Sequence, residues 1–125
     1  MILLDASALF AYFYDEPGSK TVSGVIDGPT FMSCVNVAEV VAKLATKGIP
    51  AVGTAEKIKA TNITLLPFGE DELAGLTALS FPIDAGMSLG DKVCLATAHA
   101  HKSLVYTADK AWCDLGLPIN IRLIR

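Results

Sequence analysis

The chain has little cysteine, little charge and no long apolar run, and each shortage closes off a class of protein. Its three cysteines, Cys34, Cys94 and Cys113, form no C-x-x-C pair and are odd in number. That argues against a disulfide framework and against a zinc knuckle. They are expected to be buried small hydrophobes in a reducing compartment. The longest apolar run, Ala8 to Tyr14, has seven residues, far short of the ~20 needed to cross a bilayer. Met1 to Leu4 carries no basic residue and meets an acid at once, unlike a secretory signal. A cytoplasmic protein with no membrane association is the expectation. The net charge of −3 does not advertise a nucleic-acid binder. His99 and His101 lie two apart on different helix faces, so they cannot chelate as an i, i+4 pair does. With no linker, repeat or low-complexity tract, residues 1–125 are expected to form one domain.

What the chain has in excess is hydrophobicity. Apolar residues make up 52% and the mean hydropathy is +0.48. A chain of this size with that composition is expected to cover some apolar surface with a partner, for instance a second copy of itself.

Short β-branched or Leu-rich runs alternate with longer helical patterns, which points to βα units around a parallel sheet. Ile2–Leu4, Thr30–Ser33, Thr64–Leu66, the segment SLVYT and the segment INIRLI read as five strands. Helices are expected from about Ser7 to Tyr14, from Ser19 through Ile26, from Asn36 to a Gly48 C-cap, near Val52 to Ala60, and from Glu70 to Leu79. A further helix opens at Ser88, and a short one carries Trp112 and Leu115. The fold class expected is a three-layer α/β/α domain with a central, mainly parallel five-stranded sheet. Right-handed crossovers would then put the carboxyl ends of the parallel strands on one rim.

Four acids fall at that rim. Asp5 follows the first strand directly, although apolar sequence lies on both sides of it. Glu39 lies a turn into the helix after the second strand, Asp91 a turn into the helix opened by Ser88, and Asp109 just past the segment LVYT. Capping explains part of this pattern. Asn36-x-x-Glu39 and Ser88-x-x-Asp91 match the capping box, and Asp109 can serve as an N-cap. Glu70, Asp71 and Glu72 also open a helix, with nothing beyond capping to single them out. Capping does not explain why Asp5 and Asp109 lie against strongly apolar strands. A hard divalent cation does, since Mg²⁺ and Mn²⁺ take oxygen ligands and relieve the repulsion among crowded carboxylates. Without metal, at least one of the four is expected to have a raised pKa.

The segments LLDASALFAYFYDEPG, NVAEVVAKL, SLGDKVCLATA and YTADKAW, in this order, resemble the PIN-domain ribonucleases. They are most similar to the VapC-type toxins of toxin–antitoxin pairs. No one of these motifs is specific alone; four in order within 125 residues are. The resemblance implies a metal-dependent endoribonuclease whose acidic quartet falls on Asp5, Glu39, Asp91 and Asp109. It implies Mg²⁺ or Mn²⁺ held by Asp5, Asp91 and Asp109, directly or through water, with Glu39 either a ligand or a group that orients the attacking water. Ser7 of DAS, Thr107 of TAD and Asn36 match the family's supporting positions. The implied partners are an RNA substrate, a small VapB-type antitoxin laid over the active-site side, and a second subunit in a homodimer. The helix from Ala8 to Tyr14 and the helix after Asn36 would supply the covered apolar surface, though core is the simpler role for each aromatic there.

Set the four acids aside and the remaining 9 face 10 Lys and Arg, a charge of +1. Lys43, Lys47, Lys92 and Lys110, near the motifs, are candidate phosphate contacts, against the simpler reading of solvated helix lysines. Two rival classes fit less well. A receiver domain needs an acid at the end of its third strand, where TLLPFG has none, and a haloacid-dehalogenase-like phosphatase needs D-x-D where this chain has Asp5-Ala6-Ser7. A PIN domain acting in RNA processing or decay remains open alongside the toxin.

Overall fold

The computed structural model describes residues 1–125. The strands are β1 (Ile2–Leu4), β2 (Thr30–Ser33), β3 (Thr64–Leu66), β4 (Leu104–Thr107) and β5 (Ile121–Leu123). They form one sheet in the order β3-β2-β1-β4-β5, and every neighbouring pair is parallel. The sheet is thus wholly parallel rather than mainly so. The helices are α1 (Ala6–Phe13), α2 (Ser19–Ser23), α3 (Cys34–Thr46), α4 (Ala51–Lys59), α5 (Glu70–Ala78) and α6 (Leu89–His101), with a 3₁₀ turn at Lys110–Asp114.

Strand alternation builds the three layers. Leu4, Met32 and Tyr106 face a core made with Ala8, Leu9, Val22, Val40, Leu44 and Ile58 of α1 to α4. Leu3 and Val105, one residue earlier on their strands, face the opposite core with Cys94, Leu95 and Ala98 of α6 and with Trp112. Each fully buried Leu contributes roughly 1.5–3 kcal/mol. On the second face α5 runs antiparallel to α6, and a Cβ on Gly75 would lie 2.5 Å from the Ala96 carbonyl oxygen. Only glycine allows that approach.

Some boundaries differ from the expectation. α2 stops at Ser23, and turns carry the chain on through Gly28. α3 begins at Cys34, ahead of Asn36, because Ser33 at the end of β2 caps it at once, its Oγ accepting from the Val35 N–H at 3.3 Å. Of the three free thiols only Cys94 is buried; Cys34, in the first turn of α3, and Cys113, on the 3₁₀ turn, are exposed. No helix is long and apolar enough to cross a membrane.

Candidate active site

In this strand order the chain reverses direction across the sheet between β1 and β4, and the carboxyl ends of those two strands flank a crevice. Asp5 leaves β1 there, its N–H still donating to the Tyr106 carbonyl at 3.0 Å, and Thr107 ends β4 beside it. Asp5 is the residue before α1, yet its carboxylate makes no capping bond to that helix. Two hydroxyls occupy it instead. Ser7 Oγ donates to Asp5 Oδ2 at 2.7 Å and Thr107 Oγ1 donates to the same oxygen at 2.9 Å. Each hydroxyl is itself fixed by a backbone donor, the Ala108 N–H on Ser7 Oγ at 2.9 Å and the Asp109 N–H on Thr107 Oγ1 at 3.1 Å. An ionised carboxylate can only accept, so each hydroxyl turns its one proton to Asp5 while it accepts from the backbone.

Asp5 is 5% exposed. Burial pushes its carboxyl above the usual range, and the charge of Asp91 adds to that; the bonds from Ser7 and Thr107 pull the other way without prevailing. Glu39, half-buried on α3, is raised too, first by burial, with Lys43 opposing and Asp5 and Asp91 adding. The Cys94 thiol beneath them is pushed well up by burial and by the charges of Asp5, Asp91 and Glu39. It is held as a neutral thiol and is no nucleophile.

The capping reading holds for two of the four acids. Asp91 Oδ2 accepts from the Ser88 N–H at 3.2 Å while Ser88 Oγ accepts from the Asp91 N–H at 3.1 Å, a complete capping box. Asp109 Oδ1 accepts from the Ala111 N–H at 3.0 Å at the start of the 3₁₀ turn. It fails for Glu39, because Asn36 lies inside α3 and caps nothing. Asn36 Nδ2 instead donates to the Gly90 carbonyl at 2.9 Å, tying α3 to the first turn of α6, and its Oδ1 is buried with no partner. Gly90 was not singled out from the sequence. A Cβ there would collide with the Glu39 carboxylate, so glycine is what lets Glu39 approach the N-terminus of α6. The available signal was a glycine in a first helical turn, which costs about 1 kcal/mol against alanine and so asks for a reason.

No three His, Cys, Asp or Glu side chains converge closely enough to hold a metal ion between them. The donor set nevertheless suits a hard cation. It is all oxygen, it is rich in mutually repelling carboxylates, and Mg²⁺ in particular binds through one or two carboxylates and keeps several waters. His101, at the far end of α6, bonds Glu72 Oε1 at 3.2 Å and has no part in this crevice. Lys43 and Lys47 line a cavity of about 640 Å³ that Ser7 also lines. Lys92 lies 5.8 Å over the Phe81 ring, and Lys110 is exposed next to Asp109.

The PIN domain family profile matches residues 2–117. A toxin–antitoxin complex from Klebsiella pneumoniae superposes with a TM-score of 0.76 at 20% identity, covering 100% of this chain and 98% of that one. A VapC toxin of Mycobacterium tuberculosis that cleaves the sarcin–ricin loop gives 0.74 at 17% identity, covering 94% and 96%. A DNA-bound VapBC complex from Salmonella typhimurium gives 0.73 at 12% identity, covering 99% and 98%. No curated protein matches by sequence. At these identities the structural likeness speaks for the fold, and the profile, spanning nearly the whole chain, speaks for the family: this chain belongs to the PIN domain family.

Proposed function

We propose that this protein is a metal-dependent endoribonuclease and the toxin of a VapBC-type pair. The observation that carries the reading is Asp5, a buried carboxylate at the sheet's reversal point with two hydroxyls donating to one of its oxygens and with Glu39 and Asp91 in its field. Such an arrangement holds an ionised acid in a fixed orientation although burial favours its neutral form, which suits a cation site. Asp5, Asp91 and Asp109 are the groups to hold Mg²⁺ or Mn²⁺, with water completing the shell. Bound there, the ion supplies Lewis acidity toward a phosphodiester and a more acidic water. Ser7 and Thr107 keep the Asp5 carboxylate in place, and Asn36 keeps α6 at its distance from α3. Glu39, its carboxyl raised by burial and by its acidic neighbours, is suited to take a proton from the attacking water.

RNA is the substrate and a VapB-type antitoxin the partner, in a cytoplasmic protein of one domain that pairs as a homodimer. The antitoxin would cover apolar side chains left exposed, among them Ile83, Leu89 at the start of α6 and Val52 on α4. The deciding experiment is RNA cleavage by the purified chain with Mg²⁺, with Mn²⁺ and with EDTA, beside Asp91→Asn. Metal-dependent cutting reduced at least 100-fold in the variant is the expected result. Cutting that persists in EDTA, or in Asp91→Asn at the wild-type rate, would sink the assignment.

A further inference from the structure

A groove lined by Ser7, which bonds Asp5, runs between α1 and α3. Its walls combine two chemistries. Phe10 on α1 and Tyr14, the residue that ends it one turn on, stack with ring centroids 6.3 Å apart at 26°, and Tyr14 is 47% exposed. Cations flank that pair on both sides. Lys43 lies 6.0 Å from the Phe10 centroid, and Lys57 of α4 lies 5.9 Å from the Tyr14 centroid and 4.5 Å from that of Phe13. Lys47 follows Lys43 one turn on, and Arg125, donating to the Pro17 carbonyl at 2.9 Å, lines the groove as well. Three of the chain's 10 Lys and Arg, Lys43, Lys47 and Arg125, therefore line one groove in a protein of net charge −3, and Glu16 is the one acid lining it.

We propose, resting on the nuclease reading, that this groove is the subsite for an unpaired stretch of the RNA strand next to the bond that is cut. One base stacks on Tyr14 and Phe10, and the flanking phosphates lie on Lys43 and Lys47. The interleaving of aromatic faces and cations is the recognition chemistry of single strands, because every unpaired base offers a π-face and every link a charge. A duplex hides its base faces and presents only backbone. The groove volume, about 640 Å³, lies in the range of small-ligand sites and is scaled to a nucleotide rather than to a helix. Ser7 lines the groove and its hydroxyl bonds Asp5 at 2.7 Å, so a strand seated there lies next to the acids.

The test measures binding apart from cutting. The full chain in EDTA is titrated with a fluorescein-labelled single-stranded oligouridylate and with a duplex RNA of equal length, reading anisotropy. Tyr14→Ala is expected to weaken single-strand binding roughly 10-fold and Tyr14→Phe to leave it within about twofold, with duplex binding unaffected by either. Lys43→Gln with Lys47→Gln is expected to reduce the slope of log affinity against log salt by about 1.4. Tyr14 is half-exposed, and thermal melts check that each variant is folded. Wild-type single-strand affinity in Tyr14→Ala, or equal preference for the duplex, overturns the subsite. So does a Tyr14→Ala protein that binds RNA normally but loses a co-expressed antitoxin, which would give the groove to a peptide. Tyr14-dependent binding in a chain that cuts nothing with Mg²⁺ or Mn²⁺ supports the subsite while the nuclease reading fails. Metal-dependent cutting with unchanged Tyr14→Ala binding fails the subsite alone.

Discussion

Glu39 and Gly90 show how much of the candidate site depends on an atom that is missing. The Glu39 carboxylate rests against the first turn of α6 where a Cβ on residue 90 would stand, and Asn36 fixes that turn through the Gly90 carbonyl. Gly90→Ala adds one methyl group and improves local helix propensity by about 1 kcal/mol, so overall stability should change little. The Glu39 carboxylate, however, must move. A displacement near 1 Å in a group that positions the reacting atoms costs on the order of 100-fold in rate, so cleavage should fall by about that factor while the melting temperature holds. A variant that cuts normally would show that Glu39 has room to spare and that the glycine serves only packing. The four acids were legible as residues because they recur at strand ends and helix starts. Their orientation was not, since a capping box in sequence is the same pattern whether the acid caps, as Asp91 does, or faces another element, as Glu39 does. The Ala108 N–H behind Ser7 lies 101 residues from it and leaves no trace in local sequence, whereas the Asp109 N–H behind Thr107 is a turn contact two residues on.

The strands and most helices were readable from period and turn residues, because each is short, strongly patterned and bounded by Gly, Pro, Ser or Asn. The pairing of α5 with α6 was not readable. Glu72 looked like one of three solvated acids, yet it is 6% exposed, takes the Gly69 N–H at 3.3 Å, and meets His101 across the helix pair. Burial raises its carboxyl, but the His101 contact and the Gly69 N–H outweigh burial and hold it below its usual range. A depressed carboxyl stabilises the fold fully above its unfolded value, 4.5 here, and loses that contribution as pH falls through the lower folded value. Glu72→Ala should therefore cost about 1 kcal/mol at neutral pH through its lost hydrogen bonds, and the gap to wild type should narrow below pH 4.5. Urea unfolding at neutral pH and again near the acid limit of the native state measures both. An undiminished gap in acid would assign the loss to packing.

Across the whole molecule, the crevice at the reversal of the sheet collects charge that the fold alone would be better without. A wholly parallel sheet in the order β3-β2-β1-β4-β5 places β1 and β4 side by side, and with them Asp5, Thr107 and Asp109. That adjacency was expected only as a common rim; strand order is not written in any local segment. Asp5, raised by burial, Glu39, raised with it, and Asp91 together form a negative field that a divalent cation relieves and a monovalent salt at the same ionic strength does not. Millimolar Mg²⁺ or Mn²⁺ should thus raise the melting temperature, by an amount that grows with concentration as RT ln(1 + [L]/Kd), about 2.7 kcal/mol at a hundredfold excess over Kd. Asp5→Asn keeps an oxygen to accept from Ser7 and Thr107 but removes the charge. In EDTA at neutral pH it should melt higher than wild type, by on the order of 5 °C. The difference should shrink as pH falls through the raised folded value of Asp5 toward its ordinary 3.8. The same variant should cut no RNA and gain nothing from the metal. An Asp5→Asn protein that melts lower than wild type in EDTA, or that is stabilised by Mg²⁺ as wild type is, would mean that the Asp5 charge is balanced within the protein, and the need for a cation at the crevice would disappear with it.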